Sequence, residues 1–195
     1  MNLELKDKKI GFVLTGCFSR FSKVIPIMKE LIRQEAEIIP IMSFNSYNLD
    51  TKYGKAKDFI NEIETITKKQ IIHSIIDSEL IGTKELIDIM IVAPCSGNTM
   101  SKLANDIIDT PATMAVKSHL RNNLSVIIAP ATNNGLSGNA ENIGKLLNRK
   151  NYYFVPFRQD NPITKPKSIA FDYTYIIKTI KYALENEQIS PILLG

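Results

Sequence analysis

Ile87-Asp88-Ile89-Met90-Ile91-Val92-Ala93 runs without interruption into Pro94-Cys95-Ser96-Gly97-Asn98-Thr99. The first part is of strand length and apolar on nearly every position. That pattern predicts a strand buried on both faces, the kind found in parallel sheets covered by helices. The residues that follow are small or polar. Ser96, Asn98 and Thr99 are all helix N-cap types, and at most one of them is needed as the cap. A surplus of donors at the positive end of a helix is what an anion site requires. One stretch therefore predicts both a fold and a place to look for chemistry.

Upstream, Lys9–Thr15 (KIGFVLT) ends at Gly16 and reads as another buried strand. Glu37–Met42 (EIIPIM) is a further strand, and its Pro40 argues against a place in the middle of the ladder. Downstream, Ser125–Ala129 and Tyr152–Val155 are strands. Between them, Val24, Ile27, Met28, Leu31 and Ile32 recur at helical spacing and predict an amphipathic helix over Phe21–Gln34. Phe59, Ile60, Ile63 and Ile66 predict one over Ala56–Thr67. Further helices are expected at Thr83–Leu86, Thr99–Asn105, Asn139–Asn148 and Tyr173–Glu187, and from Pro111 to about Arg121. Ile71–Ile76 fits either a short strand or a connection, and Phe157–Lys167, with its prolines, fits a loop. This alternation predicts an α/β, doubly wound, Rossmann-like or flavodoxin-like three-layer fold with a parallel sheet of about five or six strands. The expected organisation is one domain over 1–195, with a core from about Lys9 to Pro156 and a C-terminal loop and helix from Phe157 to Gly195.

Composition narrows the function classes. At 195 residues and 44% hydrophobic residues, the chain can bury a core and is neither disordered nor fibrous. A net charge of +4 does not argue for nucleic acid. The basic residues are scattered apart from short groups at Lys145–Lys150 and Lys165–Lys167, which read as solvated surface or, as a second reading, a patch for an anion or an acidic partner. The N-terminal run Met1–Lys9 is polar, and no apolar run approaches a membrane span, so a cytoplasmic protein is expected. Cys17, Cys95, His73 and His119 cannot supply a Cys/His zinc site of standard spacing.

Doubly wound sheets bind ligands at the carboxyl ends of their strands. Gly16 permits a tight turn into Cys17, Phe18 and Ser19, a loop suited to a phosphate, yet it is not the dinucleotide fingerprint G-x-G-x-x-G. Ser43, Asn45 and Ser46 follow the Glu37–Met42 strand, where a classical NAD site carries an acid on the ribose. Hydroxyls and amides there suit a monophosphate. Pro130–Asn139 is long and amide-rich, and its Asn133 can donate to or accept from a heterocycle or a carboxylate. Cys17 and Cys95 both follow strands and can approach each other at the sheet edge as small buried residues. His73 and His119 read as structural.

The Pro94–Thr99 loop and the helix after it resemble the flavoprotein family of homo-oligomeric flavin-containing cysteine decarboxylases. Their Pro-Ala-Ser-Ala-Asn-Thr motif is matched at Pro94, Ser96, Asn98 and Thr99, with Cys95 and Gly97 substituted. The resemblance runs from Lys9 to about Asn148. Within the family, Ile10–Gly16, Ile39–Ser43, Ala93–Asn105, Leu120–Asn123, Asn151–Asp160 (NYYFVPFRQD) and Pro166-Lys167-Ser168 resemble one branch, the second subunits of a two-subunit oxidoreductase.

The resemblance implies an FMN site. Ser43, Ser96 and Thr99 would hold the phosphate, with Gly16, Cys17 and Gly97 close by and Asn98 beside the flavin. Asn133 falls on a substrate-binding Asn of the decarboxylases, but Thr132 replaces a Met before it and the chain has no Trp. Leu80 stands where those enzymes carry a catalytic His. The branch implies oxidation of dihydrodipicolinate to dipicolinate, in the cytoplasm of the mother cell of a sporulating bacterium. It also implies an A subunit that supplies NADP and a homo-oligomer, a trimer or a multiple of it. Among Arg121, Arg158 and Lys102, Arg158 is the favoured partner for a substrate carboxylate, since arginine grips carboxylates bidentately. Two other functions fit the residues. One is a stand-alone FMN enzyme of the decarboxylase or prenyl-FMN synthase branch; the other is a non-catalytic ligand-binding subunit with a degenerate flavin site.

Overall fold

A computed structural model describes residues 4–195; the beginning of the polar run Met1–Lys9, Met1 to Leu3, lies outside the described residues. The elements are β1 (Lys9–Leu14), α1 (Phe21–Arg33), β2 (Glu37–Met42), α2 (Phe44–Asn48), α3 (Ala56–Thr67), α4 (Ile75–Thr83) and β3 (Ile89–Ser96). They continue with α5 (Gly97–Ala104), α6 (Pro111–Leu120), β4 (Val126–Thr132), α7 (Ala140–Leu147), β5 (Tyr152–Phe154), β6 (Phe157–Asn161), β7 (Lys165–Phe171) and α8 (Ile176–Leu184). One seven-stranded sheet runs β2-β1-β3-β4-β7-β6, and β5 also pairs with β4. β2, β1, β3, β4 and β5 are parallel. The chain reverses winding between β1 and β3, so the switch point lies at the ends of those two strands.

The burial matches the sequence pattern. Every residue of β3 from Ile89 to Cys95 is buried, and β1 is buried from Ile10 to Leu14. Covering an apolar strand on both faces removes about 25 cal/mol per Å² of its surface cost in water, which makes these strands the anchor of the core. β2 is the edge strand, as Pro40 required, and Ile72 bonds across its outer side through Met42 N–H and the Pro40 carbonyl. Among the described residues, no helix is long and apolar enough to cross a membrane.

Two expectations are corrected and one open segment is settled. The short helix expected at Thr83–Leu86 is instead α4, which ends at Thr83. Its start is set by Ser74, whose hydroxyl caps the Asp77 N–H. The ambiguous Ile71–Ile76 segment divides into a bridge at Ile72 and the first turn of α4. The loop expected over Phe157–Lys167 is an antiparallel hairpin, β6 and β7, so the sheet gains strands beyond the parallel ones. Its outer residues are largely exposed and carry no alternating apolar pattern, and Pro166 sits where β7 has passed beyond β4. β5 pairs with Val126–Ile128 of β4, whereas β7 pairs with Ala131 and Thr132. The hairpin thus takes over the edge of β4 where β5 stops, at the carboxyl end of the sheet.

Candidate functional site

The ends of β1, β2 and β3 are locked together by hydroxyls. Thr15 Oγ1 donates to the Pro94 carbonyl at 2.7 Å and accepts from the Ser96 N–H at 2.9 Å. Ser43 N–H and the Ser46 hydroxyl both donate to the Leu14 carbonyl, at 3.0 and 2.8 Å. Ser43 and Ser96 are then the N-caps of α2 and α5, each accepting the N–H three residues on. Ser96 is therefore the cap among the three candidates. Thr99 is buried with its hydroxyl 3.0 Å from Ser96 Oγ, and Asn98 is left exposed.

Both caps border one cleft of about 370 Å³, with Gly16, Asn45, Asn98 and Lys102 around it. Each serine oxygen accepts an N–H and also bonds a neighbouring hydroxyl, Ser46 or Thr99, and exchanging that second bond would turn a proton toward an anion. The first-turn amides of α5 add donors and the positive end of the helix dipole. Lys102 Nζ lies 2.7 Å from Asp109 on the rim, so that carboxylate is already neutralised.

A second cleft, of about 560 Å³, shares Gly16, Ser96 and Asn98 with the first, and the two form one groove across the switch point. Its floor is Cys17, whose thiol donates to the Ala131 carbonyl at 3.4 Å. Burial pushes the Cys17 thiol up from its ordinary range, partly offset by Arg20. Cys95 is fully buried and pushed up further by burial. Both are free thiols, and burial favours the protonated form of each. Gly97 is buried, and a Cβ there would lie 2.4 Å from Thr132 Oγ1. Its glycine is required so that the loop after β4 can close on the start of α5. That loop is held by Asn134 Oδ1, which accepts from Thr132 Oγ1 at 2.6 Å and from Asn139 Nδ2 at 2.8 Å. Asn133 is exposed and lines the cleft.

The structure brings together Gly16, Cys17, Ser96, Gly97, Asn98 and Asn133, with Ser43 and Thr99 at the capped end. It does not bring Arg158 with them. Arg158 lies on β6, about half exposed, bonded to Asp172 at 2.8 Å and bordering a neighbouring cleft. Arg121 lines a separate apolar cleft beside α6. His119 is buried, donates from Nε2 to the Ser125 carbonyl at 3.1 Å, and is pushed down to about 4 by burial. His73 stacks on Tyr47 with ring centres 3.8 Å apart and lines neither part of the groove. Among the described residues, no cluster of His, Cys, Asp and Glu could hold a metal ion.

Sequence reasoning missed Arg20, Tyr53, Asp160, Lys165 and Ser168, all of which line the larger cleft. Arg20 was legible, since it follows β1 within the strand-end loop. Asp160, Lys165 and Ser168 come from the hairpin: Asp160 and Ser168 fall in stretches that carry the branch resemblance and Lys165 in a short basic group, but nothing in the sequence assigned them to the site.

A doubly wound sheet with a hydroxyl- and amide-lined groove at its switch point has the architecture in which folds of this class bind their ligands. The Flavoprotein family model matches residues 1–182, and the chain belongs to that family. It is 40% identical over 190 residues to the dipicolinate synthase B subunit of Bacillus subtilis (strain 168), covering 97% of this chain and 95% of that protein. The crystal structure of the dipicolinate synthase B subunit from Bacillus halodurans superposes with a TM-score of 0.91 at 37% identity, covering 99% of each chain. The FMN-dependent cysteine decarboxylase SpaF shares the fold alone, at a TM-score of 0.70 and 18% identity over 93% of this chain and 98% of its own.

Proposed function

We propose that this chain is the flavoprotein subunit of a dipicolinate-forming oxidoreductase. The observation that carries the reading is the groove itself, two serine-capped helix starts opening into an amide-lined cleft, in a chain similar over nearly its whole length to the dipicolinate synthase B subunit. The residues present fit FMN by their chemistry. Ser43, Ser96 and Thr99 offer hydroxyls, and Lys102 a cation, for a terminal phosphate. Gly16 and Cys17 let the backbone come close, and Asn98 borders both parts of the groove. A bound FMN would supply a two-electron acceptor beside the substrate.

The chain's own part is to bind and orient a dihydrodipicolinate and to keep its carboxylates neutralised while the ring loses a hydride and a proton and becomes aromatic. In this reading an A subunit brings NADP, the protein forms a homo-oligomer, and it works in the cytoplasm of a sporulating mother cell. The stand-alone decarboxylase and prenyl-FMN synthase readings are less supported. The likeness to the solved cysteine decarboxylase SpaF is one of fold only, and Leu80 on α4 offers no acid or base where those enzymes carry a His.

The test is a visible spectrum of the purified chain before and after excess FMN, followed by dihydrodipicolinate oxidation with and without the A subunit and NADP. Stoichiometric flavin retention, and oxidation that needs both chains, are expected. A colourless protein that ignores FMN would end the flavin part of the reading, and oxidation by the A subunit alone would end the catalytic part.

A further inference from the structure

The larger cleft is lined by neutral residues except at one corner. There Arg20, from the turn after β1, meets Asp160 and Lys165 of the β6–β7 hairpin. Arg20 Nη2 donates to Asp160 Oδ1 at 2.8 Å, and Lys165 Nζ to Asp160 Oδ2 at 3.3 Å. The side chains of Arg20 and Asp160 are only 29% and 26% exposed, so the pair sits in the wall rather than in open solvent.

Asp172, just beyond the hairpin, makes the instructive contrast. Its Oδ1 accepts from the Thr174 N–H at 3.0 Å and the Thr174 hydroxyl at 2.6 Å, and its Oδ2 accepts from Arg158. Local bonds hold that carboxylate whether or not Arg158 is present. Among the described residues, Asp160 is held by the two cleft cations alone. Burial tends to raise the Asp160 carboxyl, but hydrogen bonds from Arg20 and Lys165 outweigh it, so it stays ionised. Two cations against one carboxylate leave the corner with an excess positive charge. The other donors of the Arg20 guanidinium make no hydrogen bond among the described residues.

We propose that Arg20 and Lys165 bind a carboxylate of the substrate, with Asp160 holding both cations in place until that carboxylate arrives. This rests on the reading above, in which the substrate is a ring dicarboxylate. It places the carboxylate contact at Arg20 and Lys165 and leaves Arg158 outside. Arginine suits the role because its planar fork can serve two oxygens while one edge stays on Asp160. The amides of Asn98 and Asn133 line the same cleft and offer neutral donors to the rest of the ring.

The test is calorimetric titration of pyridine-2,6-dicarboxylate into the full-length, FMN-supplemented protein and its variants. Arg20→Gln and Lys165→Gln are each expected to weaken binding by about tenfold or more, the scale of a lost charged hydrogen bond. Asp160→Asn removes the competing carboxylate and is expected to bind several-fold tighter, a gain that a misfolded variant cannot mimic. Arg158→Gln is expected to match the parent. Arg20→Gln and Lys165→Gln variants within about twofold of the parent, with the parent binding, overturn the inference and leave the proposed function standing. Pyridine-2,6-dicarboxylate is the product form of that ring dicarboxylate; a parent chain that does not bind it overturns this site, while the oxidation assay decides the proposed function.

Discussion

The two ends of the groove are both polar, and they are built in opposite ways. At the capped end, Ser43 bonds to Ser46 and Ser96 to Thr99, partners a single helical turn apart. At the hairpin end, Arg20 bonds to Asp160, 140 residues away. The caps of the first end form with their helices, and the pairing of β1 with β2 and β3 then brings the two caps together. The second exists only after β7 has docked on Ala131 and Thr132 of β4. One end thus combines local caps with bonds from Thr15 and Leu14 across the neighbouring strands, and the other is a product of sheet assembly alone, held by ion pairs that can be exchanged.

The largest expected effect acts on both ends at once and sets the baseline for comparing them. His119 lies on α6, and burial holds it near 4 against an ordinary 6.5. The unfolded chain therefore binds the extra proton between those values, and stability is complete above pH 6.5 and is lost as pH falls toward 4. The loss is about 3 kcal/mol when complete. Urea unfolding measured from pH 7 to 4 should show it, and His119→Gln should flatten the profile. An unchanged slope in that variant would mean that some other group carries the acid sensitivity.

Next comes the seam where the two ends meet. Gly97→Val should cost about 2 kcal/mol through overpacking against Thr132 and Asn139. It should impair FMN retention and dicarboxylate binding together. If only one of the two fell, the ends would be independent and the seam merely structural.

The capped end can be attacked by itself. Ser43→Ala and Ser96→Ala should each cost about 1 kcal/mol of stability as lost caps. Each should also weaken FMN binding while leaving the Arg20–Asp160 corner intact. Fluorescence titration of FMN with denaturant unfolding on the same samples separates the two effects. Unchanged flavin affinity in the double variant would reduce these hydroxyls to capping.

The smallest effect is expected at Arg158→Gln. Its pair with Asp172 is half exposed, and such pairs contribute below about 1 kcal/mol. A large drop in unfolding free energy there would show that the hairpin depends on this pair and would blur the contrast between the two ends.

The capped end was legible because its chemistry is local. A strand that is apolar throughout, followed by cap residues, carries its meaning within a short window, and Ser96 and Thr99 could be singled out on that basis, whereas Ser43 was marked only as a hydroxyl at a strand end and its helix went unread. The flavoprotein resemblance rested on the same window. The hairpin end was hidden for a matching reason. Phe157–Lys167 has two prolines and mostly exposed residues, so neither alternation nor a buried run marked it as strand. Arg158 looked well placed because it follows a strand, yet its side chain is engaged by Asp172. Arg20 sat in a loop already singled out at Gly16 and Cys17 and lacked only a partner to give it meaning.

The amino-acid sequence by itself determined the buried strands of a parallel sheet and the polar loops at their carboxyl ends, because burial periodicity and helix capping are written over a few consecutive residues. Only the tertiary structure decided which charges face the groove. That choice depends on where β5 stops along β4 and lets the hairpin take its edge, a contact between segments whose residues carry no local sign of each other.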